Sequence, residues 1–191
     1  KTPFAKRAEI LRRFGAALEQ HTEECAKTLT LDVGKPIKQA MNEVQGTLGR
    51  LNFFLAEAES RLQTKKVFDE GGTSEELAFE ALGVVANISA WNYPYFVGSN
   101  TFLPALLTGN AVVYKPSEFA TRTGQMIARL WQEAGLPQDV FQCVIGDGAL
   151  GSALLDQRID GVFFTGSYAT GKKIAEKVAG KMLRLQLELG G

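Results

Sequence analysis

The chain has 191 residues, of which 45% are hydrophobic and 22% are charged. A chain of this size buries roughly 70% of the surface that it exposes when unfolded, so we expect one folded core and exclude intrinsic disorder. Its 21 basic and 21 acidic residues cancel, which argues against a nucleic-acid partner. No apolar run approaches the roughly 20 residues of a membrane span, which argues against a membrane protein.

Residues 1–62 predict a helical lead-in to the core. Helices are predicted over residues 3–19, 21–31 and 41–62. Thr2 is expected to cap the first helix, with Pro3 at its first helical position, and the turn at residues 34–36 (GKP) ends the second helix. In the third helix, apolar residues recur at alternating intervals of three and four. This spacing fits a coiled coil or an ordinary packed helix, and the two glycines inside it favour the packed helix.

The next segment, residues 63–81, has mixed polarity and contains Gly71 and Gly72. This composition is typical of a hairpin or of a linker between domains.

From residue 82 onwards, the pattern changes to that of a parallel sheet. Apolar runs predict strands at 82–88, 111–115, 140–145, 161–165 and 183–189, and helical stretches lie between them at about 95–107, 121–134, 149–156 and 169–179. Continuous apolar strands that alternate with helices indicate a parallel sheet covered on both faces. We therefore predict that residues 82–191 form a doubly wound, mostly parallel, Rossmann-like α/β core of the nucleotide-binding type.

One glycine-rich turn, residues 146–151 (GDGALG), matches the pattern G-x-G-x-x-G between a predicted strand and a predicted helix. In this context such a loop binds the pyrophosphate of a dinucleotide. The next strand, however, ends without the acidic residue that would hold a ribose. Because glycine-rich turns are common in α/β proteins, a turn without a ligand is the favoured interpretation.

A second turn, residues 166–172 (GSYATGK), matches the P-loop pattern G-x-x-x-x-G-K. The next position in a P-loop is a Ser or Thr that holds Mg²⁺. Here it is Lys173, which cannot ligate a cation. Small residues at a helix N-terminus still offer N–H groups to a phosphate, so the turn predicts a weaker phosphate site or no site at all.

Four further segments lie at the ends of predicted strands, where open α/β sheets gather their ligands. They are residues 91–94 (WNYP), 115–118 (KPSE), 164–167 (FTGS) and 188–191 (ELGG). In this order, the segments resemble the motifs of the NAD(P)-dependent aldehyde dehydrogenase superfamily. The resemblance covers essentially the whole chain, including the turn at residues 32–36 (DVGKP). One such motif is weak evidence, but four in order are specific.

The resemblance implies that a small aldehyde is oxidised to a carboxylic acid through a cysteine thioester, with hydride transfer to NAD. It assigns Asn92 to the stabilisation of negative charge on the substrate oxygen. It assigns Glu188 to the base that activates water for hydrolysis of the thioester. Judged without the resemblance, Asn92 is a turn residue and Glu188 is a surface residue at a strand end.

The resemblance also implies a cofactor site. Lys115 and Glu118 match the clamp on the adenosine ribose, and a carboxylate there repels the 2′-phosphate of NADP, which favours NAD. Gly166 and Ser167 match the contact with the pyrophosphate. Trp91 is expected to line the cofactor cleft, although a position in the core suits a tryptophan nearly as well.

The sequence departs from the family pattern in two ways. Ala90 precedes the WNYP segment where the family usually has proline. The family's nucleophilic cysteine lies beyond the ELGG segment, and neither Cys25 nor Cys143 matches its motif, so we interpret both as structural thiols. We therefore expect a fragment of a longer enzyme that is inactive by itself.

The remaining expectations concern surroundings and alternatives. The two distant cysteines form no metal-type pair and indicate a reducing compartment, the cytoplasm. The family usually assembles into homo-oligomers through a segment like residues 63–81. Two other functions stay open, a noncatalytic nucleotide-binding module and a P-loop NTPase or kinase, and Mg²⁺-dependent ATP binding would favour the latter.

Overall fold

The computed structural model describes residues 2–190. The helices in this range are α1 (Phe4–Gln20), α2 (Thr22–Val33), α3 (Ile37–Arg61), α4 (Pro94–Leu107), α5 (Thr121–Glu133), α6 (Gly148–Leu154) and α7 (Tyr168–Val178). The strands are β1 (Lys65–Glu70), β2 (Thr73–Leu77), β3 (Val84–Ile88), β4 (Ala111–Lys115), β5 (Phe141–Cys143), β6 (Gly161–Gly166) and β7 (Arg184–Leu189). The predicted alternation of strands and helices after residue 82 is confirmed.

A parallel sheet of five strands lies at the centre, in the order β5-β4-β3-β6-β7. The chain runs outward from β3 through β4 to β5, and then returns to the other side of β3 with β6 and β7. The strand order therefore reverses between β3 and β6, which is the arrangement of a Rossmann-like sheet.

Helices cover both faces of this sheet, so it is doubly wound as predicted. Successive residues of β3 point to opposite faces. Val85 belongs to a core shared with α1 to α5, whereas Ala86 belongs to a smaller core shared with α6 and α7. In the larger core, Trp131 stacks on Phe14 with ring centroids 3.9 Å apart. The lead-in helices thus bury their apolar faces on α4 and α5, which contact the sheet directly.

The lead-in helices differ from the prediction at their starts. Pro3, with φ −59° and ψ 151°, precedes α1 as its N-cap, so Thr2 does not cap the helix. Instead, the Thr2 carbonyl accepts a hydrogen bond from the Arg7 guanidinium. The helix α3 begins at Ile37, directly after its N-cap Pro36 and four residues before the predicted start at Met41. It contacts α1, α2 and α4, which confirms the interpretation as an ordinary packed helix.

The strand β5 is shorter than the predicted run at residues 140–145 and pairs with β4 alone at one edge of the sheet. The predicted hairpin is confirmed, since β1 and β2 pair antiparallel. Gly71 and Gly72 form its turn with φ of 59° and 82°, a conformation that glycine adopts without steric cost. Among residues 2–190, no helix combines the length and the apolar character that a membrane span requires.

Candidate functional site

A cleft of about 820 Å³ opens at the carboxyl ends of the central strands. This is where the strand order reverses, and ligands of open α/β sheets bind in this crevice. Its volume falls within the usual range for small-molecule sites. The lining includes six of the seven residues singled out from the sequence, namely Trp91, Asn92, Lys115, Glu118, Gly166 and Ser167.

Lys115 ends β4 and is the buried cation of the cleft, with only 4% of its surface exposed. Its Nζ donates to the Pro116 carbonyl at 3.2 Å and lies 3.8 Å from Oε2 of the half-exposed Glu118. Burial lowers the pKa of Lys115, while the nearby carboxylates of Glu118 and Asp147 act in the opposite direction. The pair places hydrogen-bond donors and an acceptor side by side, which is what the two hydroxyls of a ribose require.

Trp91 and Asn92 belong to the turn between β3 and α4. Trp91 is 51% exposed on the wall of the cleft, so its interpretation as a core residue is wrong. Asn92 is also exposed. It cannot form an Asx-turn with the residue two positions on, because Pro94 has no backbone N–H. Asn92 itself lines the cleft at the switch point of the sheet.

Gly166 and Ser167 connect β6 to α7 beside the cleft. A Cβ on Gly166 would lie 2.4 Å from the ring of Phe164, so the close packing of that ring itself requires glycine. The Ser167 side chain caps α7 by accepting from the Thr170 N–H at 3.3 Å. Lys172, the lysine of the P-loop pattern, pairs instead with Glu176 at 3.9 Å on the exposed helix surface.

Glu188 is the one predicted site residue that does not line the cleft. It lies on β7 opposite Thr165 of β6, and its exposed side chain accepts a hydrogen bond from Gln186 at 3.0 Å. The structure thus brings Glu188 to the same end of the sheet as Asn92 but outside the cleft wall. Gly191, the last residue of its segment, lies outside the described residues.

The glycine-rich turn at residues 146–151 does not present a free phosphate site. The Asp147 carboxylate caps α6 and accepts from the N–H groups of Ala149 and Leu150 at 2.9 and 3.5 Å. These are the groups that would contact a phosphate, and a carboxylate there repels one. The structure supports the interpretation as a turn without a ligand.

Neither thiol has the surroundings of a nucleophile. Cys25 is buried in α2, and Cys143 is partly buried in β5. Burial raises the pKa of each thiol to about 11, whereas reactive cysteines have a lowered pKa. This agrees with the interpretation of both as structural thiols.

Sequence reasoning gave no role to three charged residues of the lead-in region that support the site, two on its helices and one in the turn between α2 and α3. Asp32 accepts from the Thr123 N–H at 2.7 Å, at the N-terminus of α5. Glu43 forms a buried ion pair with Lys35 and accepts from the first amides of α4. The only local signal for these contacts was the turn at residues 32–36. The partners of Asp32 and Glu43 on α5 and α4 lie 91 and 52 positions along the chain.

The strand order, the two-sided helical cover and the cleft at the switch point define a Rossmann-like α/β protein. The model of the aldehyde dehydrogenase family matches residues 1–191. The chain belongs to this family.

Named relatives agree with this assignment. The chain is 35% identical to an N-succinylglutamate 5-semialdehyde dehydrogenase of Legionella pneumophila over 100% of its own length and 38% of the relative's. An NAD-dependent aldehyde dehydrogenase from Sinorhizobium meliloti has a TM-score of 0.94 at 33% identity, covering 100% of this chain and 38% of that one. PnpE, solved in complex with nicotinamide adenine dinucleotide, has a TM-score of 0.93 at 33% identity, and the match covers 98% of this chain and 39% of that one. The chain thus spans 38% of the length of the first relative.

Proposed function

We propose that the chain supplies the NAD site and two catalytic groups of an enzyme that oxidises an aldehyde to a carboxylic acid. The observation that carries this proposal is the convergence of the WNYP, KPSE and FTGS segments on one cleft at the switch point of the sheet. Membership of the aldehyde dehydrogenase family and the likeness to proteins named as NAD-dependent support it.

The residues of the cleft suit a dinucleotide. The Lys115 ammonium has three N–H donors, and its interactions within residues 2–190 are one hydrogen bond to a carbonyl and a contact with Glu118. Donor capacity therefore remains for a ribose hydroxyl, and the Glu118 carboxylate accepts from a second one. The same carboxylate repels a 2′-phosphate, so we infer that NAD is preferred over NADP. When bound, NAD supplies the hydride acceptor for the oxidation.

Asn92 is assigned to the acylation step. When a cysteine thiolate from outside this chain attacks the aldehyde carbon, a C–S bond forms and the carbonyl oxygen takes up negative charge. The Asn92 side-chain N–H donates to that oxygen, and loss of one such donor typically costs about 10²–10³ in rate.

Glu188 is assigned to the deacylation step. Its carboxylate accepts a proton from the water that attacks the thioester carbon, and the thiolate leaves as the carboxylic acid forms. Gln186 donates to one oxygen of this carboxylate, which leaves the other free for the water.

The exposed Trp91 provides a direct test of the cofactor site. NAD added to the protein should quench the fluorescence of Trp91, and Trp91→Phe should abolish the quenching while the buried Trp131 keeps its emission. Lys115→Met should weaken NAD binding at least tenfold without altering the far-ultraviolet circular dichroism. Quenching that is equal in the protein and in Trp91→Phe, or unaffected by Lys115→Met, would contradict the assignment of the cleft to NAD.

The hairpin and the cysteines support two further proposals. Val67, Phe68 and Leu77 are exposed on the hairpin, and we infer that a second copy of the protein covers them in a homo-oligomer. Val67→Asp should then reduce the sedimentation coefficient of the full-length protein.

We also infer a cytoplasmic location, since the two cysteines are free thiols and free thiols persist in reducing compartments.

A further inference from the structure

Glu43 is a charged residue buried at the contact between α3 and α4. Its side chain has 0% exposure, and its carboxylate forms an ion pair with Lys35, whose side chain is 8% exposed. Burial raises the pKa of Glu43, whereas Lys35 and two backbone amides act in the opposite direction. A buried ion pair is expensive to desolvate and contributes little net stability. Its contacts therefore call for an explanation beyond packing.

The other Glu43 contacts complete the N-terminus of α4. The N–H groups of a first helical turn have no partner inside the helix. In α4 the first position is Pro94, which has no N–H. Glu43 Oε1 accepts from the next two amides, those of Tyr95 at 2.8 Å and Phe96 at 3.3 Å. A residue from another helix thus performs the capping that side chains just before a helix usually perform.

This arrangement matters because the residues just before α4 carry the site. Asn is among the best capping residues, and Asn92 lies one position before Tyr93, the N-cap residue of α4. Because Glu43 already occupies the two amides, the Asn92 side chain is left to the cleft. Lys35 adds a second contact to the same turn, since its Nζ lies 3.5 Å from the centroid of the Tyr93 ring, which is a cation–π geometry.

We propose that Glu43, with Lys35 as its counter-ion, is a positioning residue for the stabilisation of the substrate oxygen. It fixes the turn at residues 91–94 from α3 and keeps the amide of Asn92 available to the substrate. This inference rests on the proposed role of Asn92.

A second contact from the lead-in helices gives an internal comparison. Oδ2 of Asp32 accepts from the N–H and the Oγ1–H of Thr123 at 2.7 and 2.9 Å. Thr123 lies in the first turn of α5, which follows the KPSE segment. Asp32 therefore supports the ribose side of the cleft, whereas Glu43 supports the Asn92 side. Loss of the Asp32 carboxylate should therefore affect the KM for NAD, whereas loss of the Glu43 carboxylate should affect the rate of the first turnover.

The experiment uses the full-length protein in single-turnover mode, with enzyme in excess over aldehyde and NAD saturating. Glu43→Leu should slow the first formation of NADH by about 10- to 100-fold, because a misplacement of about 1 Å costs rate on this scale. Asp32→Ala should instead raise the KM for NAD, measured separately in steady state, and change the first-turnover rate by less than about threefold. Glu43→Gln, whose amide oxygen still accepts from both N–H groups, should stay within about fivefold of the parent protein. Glu57→Gln, on the exposed face of the same helix, is the control and should change nothing.

A double-mutant cycle distinguishes positioning from general support. In the Asn92→Ala background, Glu43→Leu should cause no further loss, because it acts through Asn92. Hydrogen exchange measured by mass spectrometry should speed up in peptides of residues 91–97 and stay unchanged in residues 121–127. If Glu43→Leu does not fold, Lys35→Met replaces it, with an expected three- to tenfold slowing that is again absent in the Asn92→Ala background.

The two proposals fail in different ways. If Asn92→Ala leaves the first turnover unchanged, the proposed role of Asn92 is wrong and the positioning role is overturned with it. If Asn92→Ala slows the first turnover but Glu43→Leu does not, or if the two losses simply multiply, the role of Asn92 stands and the positioning role is overturned.

Discussion

Gly124 provides the most direct test of how the fold supports the cofactor cleft. It lies in the first half of α5, where alanine would normally stabilise the helix by about 1 kcal/mol relative to glycine. An added Cβ, however, would lie 2.4 Å from Cγ and 2.8 Å from Cβ of Pro116. The proline ring cannot rotate away, so either α5 or the KPSE segment must move. Overpacking of this kind costs about 1–3 kcal/mol.

Gly49 is the matched control for this substitution. It lies inside α3, is exposed, and has nothing within 4 Å of an added Cβ. Gly49→Ala should therefore show the helix gain of about 1 kcal/mol alone. Gly124→Ala should show the same gain offset by the clash, so that its net effect ranges from neutral to about 2 kcal/mol destabilising. The difference between the two variants isolates the cost of the clash, about 1–3 kcal/mol.

The assay is urea denaturation of the chain, followed by circular dichroism and by tryptophan fluorescence to check that unfolding is two-state. In thermal melts, the difference corresponds to Tm values about 2 to 12 °C apart for a chain of this size. Pro116 stands between Lys115 and Glu118, so Gly124→Ala should also weaken NAD binding, whereas Gly49→Ala should not. Equal stabilisation by both substitutions would refute the argument that Pro116 packs tightly on α5.

Two further predictions concern residues of the site, and a third concerns the partly buried thiol of Cys143. In the full-length protein, Glu118→Thr should raise the ratio of kcat/KM with NADP to kcat/KM with NAD by at least about tenfold. The reason is that like charges across an interface cost several kcal/mol. An unchanged ratio would place Glu118 away from the ribose. Glu188→Gln should still produce one equivalent of NADH per site in the first turnover but should slow steady-state turnover. Asn92→Ala should instead slow the first turnover itself. Loss of the first equivalent of NADH in Glu188→Gln would contradict the assignment of Glu188 to deacylation. Burial raises the pKa of Cys143 from 9.0 to about 11, so its thiolate fraction at pH 7 should be about 100-fold lower than that of an unshifted thiol. Iodoacetamide should therefore alkylate Cys143 more slowly by about this factor. Alkylation at the rate of a free thiol would contradict a structural role.

Local patterns in the sequence predicted most of the secondary structure. Continuous apolar strands alternating with amphipathic helices specified a parallel sheet covered on both faces, because each element must bury its own apolar face. Errors occurred at ends, where the pattern is weakest. The prediction placed the start of α3 four residues too late, and Pro3 lies one position before the helix that it was expected to begin.

The candidate site was predictable to the extent that it consists of strand ends. Parallel strands bring their carboxyl ends to one edge of the sheet, so the segments that follow these strands converge there even when they lie far apart in sequence. Lys115 and Asn92 are found in one cleft for this reason. The order of the strands places the ELGG segment at the end of the edge strand β7, where Gly190 lines the cleft and Glu188 does not.

The sequence by itself determined the α/β class, the family and the residues at the strand ends. Only the tertiary structure decided which side chains hold these residues in place. Glu43 and Tyr95 are 52 positions apart, and Asp32 and Thr123 are 91 apart. Helical and strand periodicity connects residues only a few positions from one another, so it contains no information on such contacts. They form because packing the lead-in helices against α4 and α5 brings carboxylates to the N-termini of these two helices, whose amide groups would otherwise lack partners.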